Sequence, residues 1–160
     1  MSNQKHDIHA LNGLIETTLD SADGYREAAE ATDNPSYRAA FSARASERKS
    51  VAADLQNAVR SLGGDPEDDG SILAKAHRAF LDVKHALLRD EQAVVNSVEN
   101  GEDFIKDKYE KAMADTETSA TTLETIRRAY DSVKSGHDQM RDLKHAMQAA
   151  DGEVAVPPAQ

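Results

Sequence analysis

Apolar residues that recur every three or four positions mark out four long segments of this chain, and this pattern constrains the fold most. The spacing matches the roughly 3.6-residue turn of an α-helix, so each segment carries its apolar residues on one face. Four such faces can bury one another in a helical bundle. The residues that define the faces are Ile8, Leu11, Ile15, Leu19 and Ala22; Tyr37, Phe41, Val51, Leu55, Val59 and Leu62; Val95, Val98, Ile105 and Tyr109; and Leu123, Ile126, Tyr130, Val133, Met140 and Met147.

Short polar stretches separate these segments and predict where the helices end. The residues DNPS at 33–36 end the first helix, because proline disfavours a helical conformation in the residue before it, and Asn34 or Ser36 can cap the second helix. GGDPEDDGS at 63–71 ends the second helix, and a Thr- and Ser-rich stretch at 115–122 precedes the fourth. The pattern predicts four helices of roughly 24 to 30 residues each.

The connection between the second and third long helices also has a helical pattern. Apolar residues at 72, 76, 80, 83 and 87 predict a short helix over 71–88. A connection of about 25 residues is too long for a tight turn, and it can carry the chain along the bundle so that the third helix starts at the far end, as in ferritin-like folds. An up-down bundle with a helical excursion is the competing topology.

The chain has 160 residues, the size of one domain with a single core. Aromatic residues make up only 4% of it and tryptophan is absent, a composition that favours helices over sheets. We therefore predict an all-α bundle at residues 7–148. A disordered segment is expected at 1–6, and a flexible tail is expected at 149–160, where proline and glycine interrupt the pattern.

Composition also argues against several classes of site and partner. The formal net charge of -10 repels a phosphate backbone, so nucleic acid is not an expected partner. The absence of cysteine excludes disulfides, thiolate metal sites and cysteine nucleophiles. The N-terminal residues lack a signal-peptide core, and no stretch approaches the roughly 20 apolar residues of a membrane span. We expect a cytoplasmic bacterial protein that has no membrane partner.

Ionisable residues interrupt three of the apolar faces near mid-length. When the helices are unrolled at about 100° per residue, Glu102 falls at the centre of the third face and His137 falls near the centre of the fourth. On the second helix, Arg44, Glu47 and Arg48 fill a gap between apolar residues. An unpaired buried charge destabilises a fold by an amount on the order of several kcal/mol, so we expect these groups to have partners.

A metal ion is one partner that could satisfy these groups, because helical bundles hold iron or manganese with carboxylates and histidines from facing helices. The candidate ligands here are Asp20, Glu47, Glu102 and His137, and the candidate ions are iron, manganese and zinc. A full di-metal site also needs Glu-x-x-His motifs. This chain lacks them, since Lys134 stands three residues before His137.

A closed polar network without a metal is the alternative. Arg44 or Arg48 would then pair with a carboxylate, and the two carboxylates considered are Glu47 and Glu102. His137 would hydrogen-bond a carboxylate as well.

Two glycines stand beside the inward-facing polar residues. Gly101 precedes Glu102, and Gly136 precedes His137. Because a glycine inside a helix costs about 0.5–1 kcal/mol relative to alanine, one interpretation is that a neighbouring helix approaches closely at this level. The other is that both glycines are simply tolerated.

Four stretches of the chain carry a family resemblance. They are LNGLIETTLDSADGYREAAE, GGDPEDDGSILAKAHRAF, NGEDFIKDKYEKAM and GHDQMRDL. In this order they resemble segments of an uncharacterised bacterial family of ferritin-like four-helix-bundle proteins, and the resemblance spans residues 8–147. It implies a ferritin-like bundle with a short crossover helix between helices two and three. It also implies a distant relation to rubrerythrin-type di-iron proteins and to stress-associated proteins.

The resemblance also bears on function. Against the ligand pattern of those di-iron relatives, Asp20, Glu102 and His137 match ligand positions, whereas Arg48 and Lys134 depart from the pattern. The departures argue against oxidase or iron-storage chemistry. We therefore expect a non-enzymatic structural or stress-response interaction protein. The alternative is a metal-binding bundle, degenerate in its ligand set, with oxidase or peroxide-related activity.

An oligomerisation module is a third class of function that the pattern allows. Long helices can leave an apolar strip exposed, and Leu14, Tyr25 and Leu143 are candidates for such a strip. Two copies of the chain could bury it between them as a homodimer.

Overall fold

The computed structural model describes residues 2–68 and 91–155, and these form four α-helices. They are α1 (Ser2–Ala31), α2 (Pro35–Ser61), α3 (Glu91–Met113) and α4 (Ala120–Ala155). Neither described part of the chain contains a β-strand. The prediction of an all-α helical bundle is confirmed, and the predicted short helix over 71–88 lies outside the described residues.

The turn between α1 and α2 follows from its residues. The Asn34 side chain accepts hydrogen bonds from the backbone N–H groups of Ser36 at 2.9 Å and Tyr37 at 3.2 Å, so Asn34 is the N-cap of α2. Pro35 occupies the first helical position, where its missing N–H is not needed. At the other end of α2, Gly63 has a φ of 80°, a left-handed conformation that glycine adopts without strain.

Contacts at the helix ends set the directions of the four helices. Gln4 donates to the carbonyl of Leu62, and His6 bonds Asp115, so α1 begins where α2 and α3 end. Helix α1 packs against α2 and α3, and α4 packs against the same two helices. Consequently α1 and α4 run one way and α2 and α3 run the other. Since α2 ends and α3 begins at opposite ends of the bundle, a strictly alternating up-down order is ruled out.

The described residues form two apolar clusters in the interior, one toward each end of the bundle. The lower core, near the start of α1, consists of Leu11, Leu14, Ile15, Val51, Leu55, Val59, Ile105, Tyr109, Ile126, Ala129 and Val133. The upper core, near the α1–α2 turn, consists of Tyr25, Ala28, Ala29, Phe41, Ala45, Val94, Val95, Val98 and Met140. Buried polar side chains at mid-length separate the two.

The structure differs from the predicted boundaries at both ends. Helix α1 begins at Ser2 rather than near residue 7, because hydrogen bonds from Gln4 and His6 to other elements hold its first turns. Helix α4 continues to Ala155, beyond the predicted end at 148. Ala149 and Ala150, strong helix formers, support part of that extension.

The exposed apolar strip considered for a homodimer is not formed as predicted. Leu14 and Tyr25 are each 4% exposed and belong to the lower and upper cores, and Leu143 packs against the upper core. Dimerisation itself stays a prediction. None of the helices in the two described parts of the chain is both long enough and apolar enough to cross a membrane.

Candidate functional site

A buried ion pair occupies the layer between the two cores. The Nη2 atom of Arg48 on α2 donates to Oε2 of Glu102 on α3 at 2.7 Å, and the two side chains are 0% and 1% exposed. Burial removes both charges from water, which is unfavourable unless each charge is paired and hydrogen-bonded. The short charge-assisted bond meets that requirement in part.

The remaining contacts of Arg48 reach the other two helices. Its Nη1 atom donates to Ser21 Oγ on α1 at 2.9 Å, and Nη2 also reaches the Val133 carbonyl on α4 at 3.4 Å. The guanidinium carbon lies 5.6 Å from the centre of the Tyr25 ring, within range of a cation–π interaction. Arg48 Nε donates to no acceptor among the described residues. One cation on α2 therefore contacts α1, α3 and α4.

Two buried tyrosines border the pair. The Tyr109 hydroxyl bonds Thr18 Oγ1 at 2.7 Å, and burial raises the pKa of Tyr109 to about 12. Burial, followed by the negative charge of Glu102, raises the pKa of Tyr25 well above its ordinary value. The Tyr25 hydroxyl faces Glu102 without the geometry of a full hydrogen bond. Both phenols therefore stay neutral next to the ion pair.

A second ion pair lies beside the first and joins α2 to α4. Arg44 Nη1 donates to Glu47 Oε2 at 2.7 Å, and Arg44 Nε donates to Gln139 Oε1 at 2.6 Å. The Ser132 hydroxyl donates to the other oxygen of Glu47. Unlike the inner pair, this one reaches solvent, since the Arg44 and Glu47 side chains are 12% and 38% exposed. The polar-network alternative predicted that Arg44 or Arg48 would pair with Glu47 or Glu102, and the structure contains both an Arg44–Glu47 pair and an Arg48–Glu102 pair.

His137 faces the edge of the bundle rather than its centre. Its Nε2 atom bonds Asp103 Oδ1 on α3 at 2.7 Å, and its Nδ1 atom lies 3.4 Å from Asp138 Oδ1. The side chain is 12% exposed, but the Asp103 side chain is 61% exposed. The hydrogen bond to a carboxylate is as predicted, and the partner is a surface aspartate next to Glu102 in sequence.

The four predicted metal ligands are spread over this layer. Asp20 is buried on α1, Glu102 bonds Arg48, Glu47 bonds Arg44, and His137 bonds Asp103. Within residues 2–68 and 91–155, no three of these four bring one ligand atom each within 4.8 Å of one another. Metal binding by this set stays a prediction. It would require the existing partners to be displaced.

The two glycines beside this layer behave differently. A Cβ atom on Gly136 would lie 2.4 Å from Arg48 Nη2, whereas a Cβ on Gly101 would meet nothing within 4 Å. The interpretation of close approach therefore holds at Gly136, where the neighbour is the buried guanidinium, and is wrong at Gly101, which is exposed. The absence of a side chain at Gly136 makes room for Arg48.

One polar cluster was missed by the sequence reasoning. His6 and Asp7, assigned to a loose terminus or its edge, bond residues of the connection between α3 and α4. The sequence did contain one indication of this cluster. Ser119 and Thr122 mark the start of a helix, and the first backbone N–H groups of a helix need acceptors. Nothing in the local pattern indicated that α1 supplies one.

Comparison with known proteins identifies the family of this chain. No curated protein matches the chain. A family model described as a domain of unknown function, DUF2383, matches residues 6–115, which is more than half of the chain and includes Arg48 and Glu102. The chain therefore belongs to the DUF2383 family.

Proposed function

We propose that this protein is a non-enzymatic, ferritin-like bundle with a structural or interaction role, whose central layer is held by an internal cation in place of a metal ion. The observation that carries the proposal is the Arg48–Glu102 pair, closed at 2.7 Å and almost completely buried. A role in stress response and a location in the cytoplasm remain predictions within this proposal.

The position of the guanidinium supports the replacement of a metal. In metal-binding bundles, a cation at mid-length joins carboxylates from facing helices. Here Arg48 supplies a positive charge at mid-length and contacts α1, α3 and α4. A divalent ion bound by Glu102 would be held next to that guanidinium and repelled by it at low local dielectric. Metal binding at Glu102 therefore requires Arg48 to leave the interior.

The helix directions support the ferritin-like part of the proposal. Helices α1 and α4 run opposite to α2 and α3, so the chain between 62 and 91 joins opposite ends of the bundle. Ferritin-like folds have one long connection of this kind. The buried pair can also contribute specificity, because Arg48 on α2 reaches Glu102 on α3 across the interior only when both helices pack against α1 and α4 in one register.

Metal content tests the proposal. Protein purified without chelator, and then loaded with iron(II) or manganese(II) under anaerobic conditions, should contain close to zero transition metal per chain by elemental analysis. Glu102→Gln should leave that value unchanged. A stoichiometry of about one or two ions per chain in the wild type, lost in Glu102→Gln and in His137→Gln, would refute the proposal in favour of the metal-binding alternative.

A second variant separates exclusion by Arg48 from a general inability to bind metal. Arg48→Gln removes the cation and leaves a shorter, neutral polar side chain. If the guanidinium excludes metal, this variant should bind more iron or manganese than the wild type after loading. Lys49→Gln, a neighbouring exposed cation on the same helix, is the matched control and should not change metal content.

A further inference from the structure

A polar cluster joins the first turns of α1 to the connection between α3 and α4. The Nε2 atom of His6 lies 2.6 Å from Asp115 Oδ2, and its Nδ1 atom lies 3.8 Å from Glu117 Oε2. The side chains of His6 and Asp115 are 31% and 32% exposed, so water reaches both. The imidazole is thus placed between two carboxylates.

The geometry of this cluster fits a proton better than a metal ion. The two carboxylates approach different ring nitrogens, and these nitrogens point away from each other. The three side chains do bring one ligand atom each within 4.8 Å of one another, but Asp115 contacts Nε2 at 2.6 Å whereas Glu117 contacts Nδ1 at 3.8 Å. A single ion bound at one of these nitrogens therefore requires one carboxylate to move around the ring. The imidazolium ion, in contrast, carries an N–H group at both positions and can donate toward both carboxylates.

Asp7, the residue after His6, connects the same region of α1 to the start of α4. Asp7 accepts hydrogen bonds from the Ser119 backbone N–H at 3.1 Å, the Ser119 hydroxyl at 2.6 Å and the Thr122 hydroxyl at 2.9 Å. Asp7 is 2% exposed and lies at the N-terminus of α4, where orphan backbone donors and the helix dipole favour an anion. His6 and Asp7 together fasten α1 to the end of α3 and to the start of α4.

We propose that His6 is a proton-operated latch, which holds the first turns of α1 against the α3–α4 connection when its ring is an imidazolium. Loss of a proton leaves one N–H on the ring, so the ring can donate to only one of Asp115 and Glu117. The contact with the other carboxylate then loses its attraction. This end of the bundle loosens, while the Arg48–Glu102 layer is unaffected.

The charges around His6 set the direction of the response. Asp115 and Glu117 face it from the α3–α4 connection and Asp7 faces it from α1. At the end of α2, the Leu62 carbonyl accepts a hydrogen bond from Gln4. Among the described residues of α2, none forms an ion pair with His6. The hydrogen bond to Asp115 raises the pKa of His6 above its ordinary 6.5, against the opposing effect of burial. The stabilisation by His6 is therefore complete below pH 6.5 and is lost as the pH rises through the pKa of His6 in the folded protein.

At low pH, protonation of Asp115 limits the stability of the His6–Asp115 contact. The Glu117 backbone N–H, followed by His6, lowers the pKa of Asp115 below its ordinary 3.8. The contribution of Asp115 to stability is therefore complete above pH 3.8 and is lost as the pH falls through the pKa of Asp115 in the folded protein. The latch is closed in the window between these two titrations.

Amide hydrogen exchange of the full chain tests this inference. After correction for intrinsic exchange, protection of residues 6–9 should fall several-fold, on the order of three- to tenfold, from about pH 6 to about pH 8.5. The central turns of α2 should keep their protection. His6→Gln should show the lower protection at both pH values, and His9→Gln, a matched change at an exposed histidine of the same helix, should behave like the wild type.

Two measurements can overturn the latch. An NMR titration of the His6 ring in the folded chain must give a pKa above 6.5; a value at or below 6.5 refutes the inference. Glu117→Gln keeps the size of the side chain and removes one flanking charge, so it should lower that pKa, and no change would contradict the assigned geometry. Binding of zinc(II) at micromolar concentration, abolished by His6→Gln, would replace the proton latch with a metal site.

Discussion

Replacement of Gly136 by alanine should destabilise this protein, although the same change usually stabilises a helix. Alanine is favoured over glycine inside a helix by about 0.5–1 kcal/mol. At Gly136, however, the new Cβ would lie 2.4 Å from Arg48 Nη2 and must move about 1 Å away from it to reach ordinary contact at 3.4 Å. The terminal nitrogen of an arginine can usually move freely, but this one is buried and bonded.

The magnitude follows from the bond that the displacement breaks. Arg48 Nη2 donates to Glu102 at 2.7 Å, and a shift of about 1 Å away from the carboxylate exceeds the range of a hydrogen bond. Loss of a hydrogen bond between charged groups costs about 1.5–3 kcal/mol. Subtracting the helix-propensity gain leaves a net destabilisation of about 0.5–2.5 kcal/mol, which lowers the Tm of a domain of this size by roughly 1–10 °C.

Urea denaturation followed by circular dichroism measures this change, and Gly101→Ala is the matched control. A Cβ at Gly101 meets nothing within 4 Å, so this variant should be more stable than the wild type by about 0.5–1 kcal/mol. The two changes should therefore have opposite signs. If Gly136→Ala stabilises the protein as much as Gly101→Ala does, Arg48 is not held where the structure places it and the reasoning fails.

The remaining predictions concern the ion pair and the helix ends. Glu102→Gln leaves a buried guanidinium without its carboxylate and should lower the free energy of unfolding by about 3–5 kcal/mol in the same urea assay. The double variant Arg48→Met/Glu102→Leu removes both charges and should be close to the wild type in stability. If the single and double variants lose the same stability, the two residues do not form a buried pair. Asp7→Ala removes three hydrogen bonds at the start of α4 and should cost about 1–3 kcal/mol, with faster amide exchange at 119–123 as its signature. Asn34→Ala removes the N-cap of α2 and should cost about 0.5–2 kcal/mol in thermal unfolding, while unchanged stability would show that the cap is dispensable.

The periodicity of the chain was sufficient to predict the four long helices and most of their turns. A helical backbone rotates by about 100° per residue wherever it forms, so apolar spacing reports the buried face without knowledge of the partner. The same rule placed Glu102 on the interior face, where it is 1% exposed. Asn34 and Pro35 act within one turn of the chain, so the start of α2 was also predictable.

Periodicity was insufficient to predict a contact or a helix end that depends on a residue far away in the sequence. An error of one residue in the phase of a helix turns a side chain by about 100°, and this decides whether His137 reaches the centre of the bundle or Asp103 at its edge. The start of α1 at Ser2 depends on contacts of Gln4 and His6 with residues 58 and 109 positions away. Such contacts leave no local pattern.

The sequence by itself determined that four amphipathic helices would bury ionisable side chains, because helix geometry and hydrophobic burial are properties of each segment. Only the tertiary structure decided how those charges are neutralised. Arg48 and Glu102 are 54 residues apart, and they meet across the interior beside Gly136 because α2 and α3 both pack against α1 and α4. A carboxylate on an apolar face accepts either a metal ion or a guanidinium, and the relative rotation of the helices selects between them.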